Sequence, residues 1–267
     1  TSHGFQVNAM MEDPPYGVLG TPTGAQVIDQ INEGTGLTSF YAHGSWSTMA
    51  VSTTNCNKYP KHWVRSLDAY DTTHSAGIIE VGNGLDNLNS DGKYSILYSI
   101  SCDVAAFDRE SAEEPCMART FTTFLEEKGG PAFLGNTRYG LVGSSDGLHS
   151  KFLDILFQVE DAYGQYNCTN AGVAEFGSKM PSPNDDDYYR YLSLSHNLFG
   201  DPEMPIWTEQ PKQFELSYST QNNSIHVVNA ETNLSISNAV VHFWNTISAQ
   251  SELRVTDSNG NAVCSFP

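Results

Sequence analysis

The chain is expected to fold as an α/β protein with an open parallel sheet over residues 1–210, followed by a small all-β module over 211–267. Two observations predict this. Up to about residue 210, short apolar runs alternate with stretches of helical period, and strand–helix–strand–helix order favours a parallel sheet covered on both faces. From Pro211 onward the apolar period falls from 3.6 to 2 and no helical stretch follows.

Thr23 is a helix cap for a stretch with Val27, Ile28 and Ile31 on one face, and Gly34 ends it. After the Gly34-Thr35-Gly36 break, Leu37 to Ala42 reads as a buried strand, and Tyr94 to Ser101 reads as another after the Asp91-Gly92 turn. Ser111, with Glu113 and Glu114 in the first turn, opens a predicted helix with Met117, Phe121, Phe124 and Leu125 as its buried stripe. Gly129-Gly130 stops that helix, and Ala132 to Leu134 forms a short strand. Leu148, Phe152, Ile155, Leu156 and Val159 trace a third amphipathic helix, and Asp185 to Asp187 suit the start of another.

In the second module, Phe214/Leu216/Tyr218, Ile225/Val227, Leu234/Ile236, Val241/Phe243 and Leu253/Val255 alternate as five strands. Asp257-Ser258-Asn259-Gly260 is a hairpin signal, and Val263 to Phe266 is the returning sixth strand of a β-sandwich. His226 and His242 read as strand-surface residues, and the module is expected to act as a spacer or docking unit.

The composition narrows the function. The 267 residues are 39% hydrophobic and 11% aromatic, enough for a true core. The net charge of −18, from 31 acidic and 13 basic residues without a Lys/Arg cluster, argues against nucleic-acid or anionic-lipid partners. No apolar run reaches the ~18 residues of a membrane span. The five cysteines (56, 102, 116, 168 and 264) are odd in number and irregularly spaced, with no CxxC; this fits neither a disulfide framework nor a zinc site.

The strongest chemical signal is a pair. His43 and Cys102 each stand just past a predicted strand, and functional groups gather where parallel strands end. Taken singly, Cys102 reads as a small buried hydrophobe and His43 as a hydrogen-bonded loop residue. Together they read as a Cys–His dyad, since an imidazole can take the thiol proton or hold the thiolate. Gly44 lets substrate approach the backbone, so its N–H is an oxyanion donor candidate. His62, His74 and Cys56 lack this strand context, and no GxSxG elbow supports Ser45 or Ser101 as a nucleophile.

Asn32-Glu33-Gly34 through His43-Gly44-Ser45-Trp46 resembles the catalytic-histidine block of gingipain-type cysteine peptidases (family C25). Ser101-Cys102-Asp103, Gly129 through Arg138, and Leu198-Phe199-Gly200-Asp201-Pro202-Glu203-Met204-Pro205 resemble three further blocks, in the same order and spacing, over roughly residues 25 to 208. The resemblance implies a caspase-like peptidase domain with His43 and Cys102 as its dyad, the N–H groups of Gly44 and Cys102 binding the oxyanion, and an immunoglobulin-like module after it. It implies protein or peptide substrates, and a secreted or cell-surface protein of bacterial or archaeal origin. Trp46 and Asp146 are its candidate pocket residues, although Asp146, flanked by glycine, also reads as a turn. The acidic residue that orients the imidazole in this family would fall before Thr1, as would the N-terminal half of the domain. The chain is therefore expected to be the C-terminal portion of the catalytic domain plus the module. A structural calcium is another expectation of the resemblance; Asn87, Asn89, Asp91 and Gly92 echo a calcium loop, but Tyr98 stands where its closing glutamate belongs. The rival reading is a non-catalytic surface or adhesion protein that retains the fold.

Overall fold

The computed structural model describes residues 7–11, 21–50, 60–68, 82–89, 91–111, 114–157, 170–180, 186–206 and 213–266. They fall into two compact units, one within 1–209 and the other within 210–267.

The first unit is built on strands β1 (Leu37–Phe40), β5 (Ile96–Ser99), β6 (Ala132–Asn136) and β7 (His196–Gly200), in that order across one sheet. β1, β5 and β6 run parallel and β7 is antiparallel to β6. Side chains alternate between faces along each strand, and the two faces have separate cores. Leu97 and Phe133 pack with Val27, Ile28 and Ile31 of helix α1 (Gly24–Asn32) and with Met117 and Phe121. Ile96, Tyr98 and Leu134 pack on the other face with Phe152 and Ile155 of α3 (Ser144–Leu156) and with Ala171 and Ala174 of α4 (Ala171–Ser178). Helices thus cover both faces, as the alternating pattern predicted. α1 starts at a capping box, in which Thr23 and Gln26 exchange side chain-to-backbone hydrogen bonds. Gly34 ends it in the left-handed region (φ 98°).

The helix expected from Ser111 starts six residues later. Cys116 is the N-cap of α2 (Met117–Arg119), which continues as a π turn over Thr120–Phe124. Ser111 instead closes a local turn, its hydroxyl accepting the Glu114 N–H. The helix starts beside the cysteine turn in space, the Met117 N–H donating to the Trp46 carbonyl at 2.7 Å and the Ala118 N–H to the Val104 carbonyl at 3.1 Å. A second, antiparallel sheet was not foreseen: β2 (His43–Ser45), β3 (Thr48–Ala50) and β4 (Trp63–Arg65). α5 (Asp187–Ser195) starts at Asp186, whose carboxylate accepts the Tyr189 N–H.

The second unit has two sheets. β8 (Phe214–Ser219), β9 (Ser224–Asn229) and β12 (Asn261–Val263) form one, and β10 (Val240–Trp244) pairs with β11 (Ser251–Val255) in the other. Val227 and Ala262 from the first and Val241 and Phe243 from the second share a small core. Two expectations are corrected here. Leu234 to Ile236 contributes only a bridge between Ser235 and Val228 rather than a strand. The Asp257–Gly260 turn does not make a hairpin, since the strand after it pairs with β9 rather than with the strand before it. Asp257 Oδ1 accepts the N–H groups of Asn259 and Asn261, an Asx-type turn that sends the chain to the other sheet.

Candidate active site

Sheet register fixes the first relation in the site. Phe40 of β1 pairs with Ser99 of β5, and His43 and Cys102 each lie three residues beyond those paired ends (40 + 3 and 99 + 3). Both sit at the carboxyl edge of adjacent parallel strands, where open α/β sheets place their functional groups. His43 is exposed and opens β2. Gly44 follows, and no side chain fits there: a Cβ would lie 2.7 Å from Ser101 Cβ, 2.8 Å from the Cys102 carbonyl oxygen and 2.9 Å from Val104 Cγ1. The histidine strand therefore packs directly onto the cysteine turn. Ser45 and Thr48 close a two-residue turn as partners, so Gly44, one step further along an antiparallel pair, holds its N–H away from β3.

The cysteine turn is held from several sides. The half-buried Cys102 Sγ accepts the Gly140 N–H at 3.2 Å and lies 3.6 Å from the Gly140 carbonyl. Gly140 is itself a close-approach glycine, since a Cβ there would stand 2.3 Å from the Ile100 carbonyl oxygen. Asp103, next in the chain, adopts the left-handed region (φ 56°), which aspartate tolerates better than most residues. Its N–H donates to the Arg138 carbonyl at 2.9 Å, and its buried carboxylate pairs with Arg109 at 3.2 Å. Asn136, fully buried at the end of β6, donates from Nδ2 to the carbonyls of Ile100 (2.9 Å) and Ser101 (3.2 Å).

The two candidate pocket residues stand on different elements, Trp46 in the turn between β2 and β3 and Asp146 in α3. Trp46 is half-buried against the α1-side core, and its carbonyl accepts the Met117 N–H at 2.7 Å, anchoring the start of α2. Asp146 is exposed in the first turn of α3, where a carboxylate suits the helix dipole. His62 is buried, with Nδ1 bonded to the Pro22 carbonyl at 2.8 Å, a structural role. His74 and Cys56 lie outside the described residues. Cys116 is buried and burial drives its thiol up to about 11, with Glu110 nearby adding to the rise. His226 bonds the Ser235 hydroxyl at 2.9 Å, and His242 stands on the exposed side of β10. Asn87 ends a short 3-10 helix (Leu85–Asn87) and donates to Asp68, and Asp91 and Gly92 both have positive φ. Among the described residues, no group of three or more His, Cys, Asp and Glu comes together around a metal-sized site.

Sequence reasoning missed a buried charged cluster beneath the site. His196 of β7 is fully buried; its Nδ1 bonds Glu175 Oε1 at 2.8 Å and its Nε2 bonds the Ser99 carbonyl at 3.2 Å. The Ser99 carbonyl can only accept, so Nε2 is the donor in that bond. Lys179 pairs with the same Glu175 oxygen at 2.8 Å. Burial works against the Glu175 charge, but His196 and then Lys179 outweigh it and hold its carboxyl below the usual 4.5. Next to this cluster, Tyr98 stacks with both His149 and Phe152 of α3, with ring centres 5.3 and 4.3 Å away. His149 bonds the Ser39 hydroxyl at 2.7 Å, and burial lowers its imidazole from 6.5. One signal was readable in the sequence: Ala171, Ala174, Glu175 and Ser178 follow the i, i+3, i+4, i+7 spacing of one buried face, which puts Glu175 inside the stripe.

The sequence model of peptidase family C25 matches residues 5–207. Among solved structures, the fold is similar to the Arg-specific cysteine proteinase gingipain R (RgpB), with a TM-score of 0.56 and 14% identity over 93% of this chain and 49% of that one. It is also similar to the complex of Porphyromonas gingivalis RgpB pro- and mature domains, with a TM-score of 0.56 and 15% identity over 93% of this chain and 50% of that one. The present chain thus spans about half the length of these structures. No curated protein matches it in sequence.

Proposed function

Since the chain belongs to peptidase family C25, we propose that it carries the nucleophile and base of a cysteine endopeptidase, Cys102 and His43. The observation that carries this reading is the register of β1 and β5, which brings His43-Gly44 onto the Cys102 turn with no room for a side chain between them. His43 takes the thiol proton, and the thiolate adds to the scissile carbonyl carbon, whose π pair moves onto oxygen. The N–H groups of Gly44 and Cys102 donate to that oxyanion. As the tetrahedral species collapses, the amine leaves with the proton that His43 carried. Water then releases the acid by the same sequence. The Gly140 N–H at 3.2 Å and the Gly140 carbonyl at 3.6 Å hold Sγ in place at the turn.

The substrates in this reading are proteins or peptides, with Trp46 and Asp146 as candidates for the pocket before the cut. The unit within 210–267 is read as an immunoglobulin-like docking module, and the protein as secreted or held at the cell surface. No step is routed through a metal.

The test is labelling of the full-length protein with peptidyl acyloxymethyl ketones bearing Arg, Lys, Asp or Asn, followed by mass mapping. Modification of Cys102 in wild type that is lost in His43→Ala supports the peptidase and names its preferred residue. If Cys102 stays unlabelled while other thiols react, the adhesion reading replaces it.

A further inference from the structure

Three consecutive carbonyl groups lead into Cys102, and each is held by a buried side chain from the neighbouring strands. Ser99 O accepts His196 Nε2, and Ile100 O and Ser101 O accept the two protons of Asn136 Nδ2. Asn136 and His196 are register partners across β6 and β7, and both are fully buried. The amide orientation of Asn136 is set by chemistry, because only its NH2 end can serve two carbonyls at once.

The third of these bonds acts on the site itself. The Ser101 carbonyl and the Cys102 N–H belong to one planar trans peptide, so they point in opposite directions. A donor that fixes the oxygen therefore aims the N–H. The peptide sits where such control is needed. The chain bends at Ser101, just past the end of β5, and Asp103 on the far side of Cys102 takes positive φ with its own N–H bonded to Arg138 O. Without a buried donor at Ser101 O, that oxygen gains by rotating toward water and carries the Cys102 N–H away.

We propose that Asn136 is a positioning residue of the peptidase: by holding Ser101 O, it aims the Cys102 N–H at the oxyanion formed when Cys102 adds to the scissile carbonyl. This rests on the reading of Cys102 as nucleophile. His196, held by Glu175, fixes the preceding Ser99 carbonyl and so keeps the end of β5 in register with Asn136.

The experiment separates chemistry that builds an oxyanion from chemistry that does not. Wild type, Asn136→Leu and Asn136→Ala of the full-length protein are compared by peptide hydrolysis, by inhibition with a peptidyl aldehyde and by alkylation with iodoacetamide. The aldehyde adds to the thiol and places its oxygen where the oxyanion forms. Iodoacetamide forms a carbon–sulfur bond as iodide leaves and uses no oxyanion donor. The expected result is a loss of about 100-fold in kcat and in aldehyde affinity, the lower end of what removal of an oxyanion donor costs. KM and the alkylation rate stay within about threefold. Equal losses in alkylation and hydrolysis, or no loss in kcat, overturn the proposal. Should neither variant fold, nuclear magnetic resonance of the wild type decides. The Asn136 side-chain protons must be protected from exchange, and the Cys102 amide resonance must move on aldehyde addition. Freely exchanging Asn136 protons refute the assignment. A wild type that neither cleaves peptides nor alkylates at Cys102 overturns the peptidase reading itself, and this inference with it.

Discussion

Gly44→Ala tests the central contact most directly. A Cβ at Gly44 would meet three atoms at 2.7, 2.8 and 2.9 Å, and two of them, Ser101 Cβ and the Cys102 carbonyl oxygen, cannot swing aside like the tip of a long side chain. Ordinary contact starts at 3.4 Å, so β2 must withdraw from the cysteine turn by 0.5–0.7 Å (3.4 − 2.9 to 3.4 − 2.7). Gly44 has no positive φ, so alanine adds no backbone strain there. In open space the change would stabilise the fold by about 0.4–1 kcal/mol through the unfolded chain. Overpacking of this kind costs about 1–3 kcal/mol and therefore wins. A net loss of about 1–2 kcal/mol lowers Tm by roughly 2–8 °C in a protein of this size. The effect on function is larger, because a misplacement approaching 1 Å in a catalytic constellation costs about 100-fold. The assay is the rate of Cys102 labelling by the preferred peptidyl ketone, measured beside a thermal melt. An unchanged labelling rate with a Tm raised by 1–3 °C (about what ~0.4–1 kcal/mol gives) would refute the reasoning, since that is how alanine behaves where nothing opposes it.

The remaining predictions concern charge and thiol reactivity. Glu175→Gln leaves the buried His196 and Lys179 without their shared carboxylate, and breaking such a buried group costs about 3–5 kcal/mol; a variant melting within 2 °C of wild type (below ~1 kcal/mol) contradicts this. Stability should also fall with acidification in two stages. The unfolded chain takes up a proton at His149 first, below about 6.5, because the folded-state value is lowered. The folded-state carboxyl of Glu175 is also lowered, so its contribution is complete above about 4.5 and is lost as the pH falls below it. Melting curves from pH 7 to 3 (spanning the ordinary His and Glu ranges, ~6.5 and ~4.3) follow both, and Glu175→Gln should flatten only the lower stage. Finally, Cys116, buried with its thiol pushed up to about 11, should resist iodoacetamide at pH 8 in the native protein while Cys102 reacts; mass mapping that finds the two equally modified would count against the burial argument.

Much of this protein follows from local pattern. Thr23 and Gln26 specify a helix start within four residues, the period of Leu148, Phe152 and Ile155 specifies a buried face, and the doublet-like alternation after Pro211 specifies strands. Those signals depend on neighbours three or four residues away, so a single sequence carries them. The candidate dyad was also legible, because each partner follows a strand-like run and four family blocks stand in order. What the sequence could not supply depends on contacts between distant segments. The bonds from Asn136 to Ile100 and Ser101 and from His196 to Ser99 span 35 to 97 positions. The Asn-Gly turn near residue 260 was misread for the same reason: its residues specify a reversal, but which strand the chain joins afterward is decided by the stacking of two sheets. Local chemistry determined which elements form and nominated the side chains of the candidate site. Only the tertiary structure decided which carbonyl each buried donor holds, because a buried polar group takes the partner that packing brings to it.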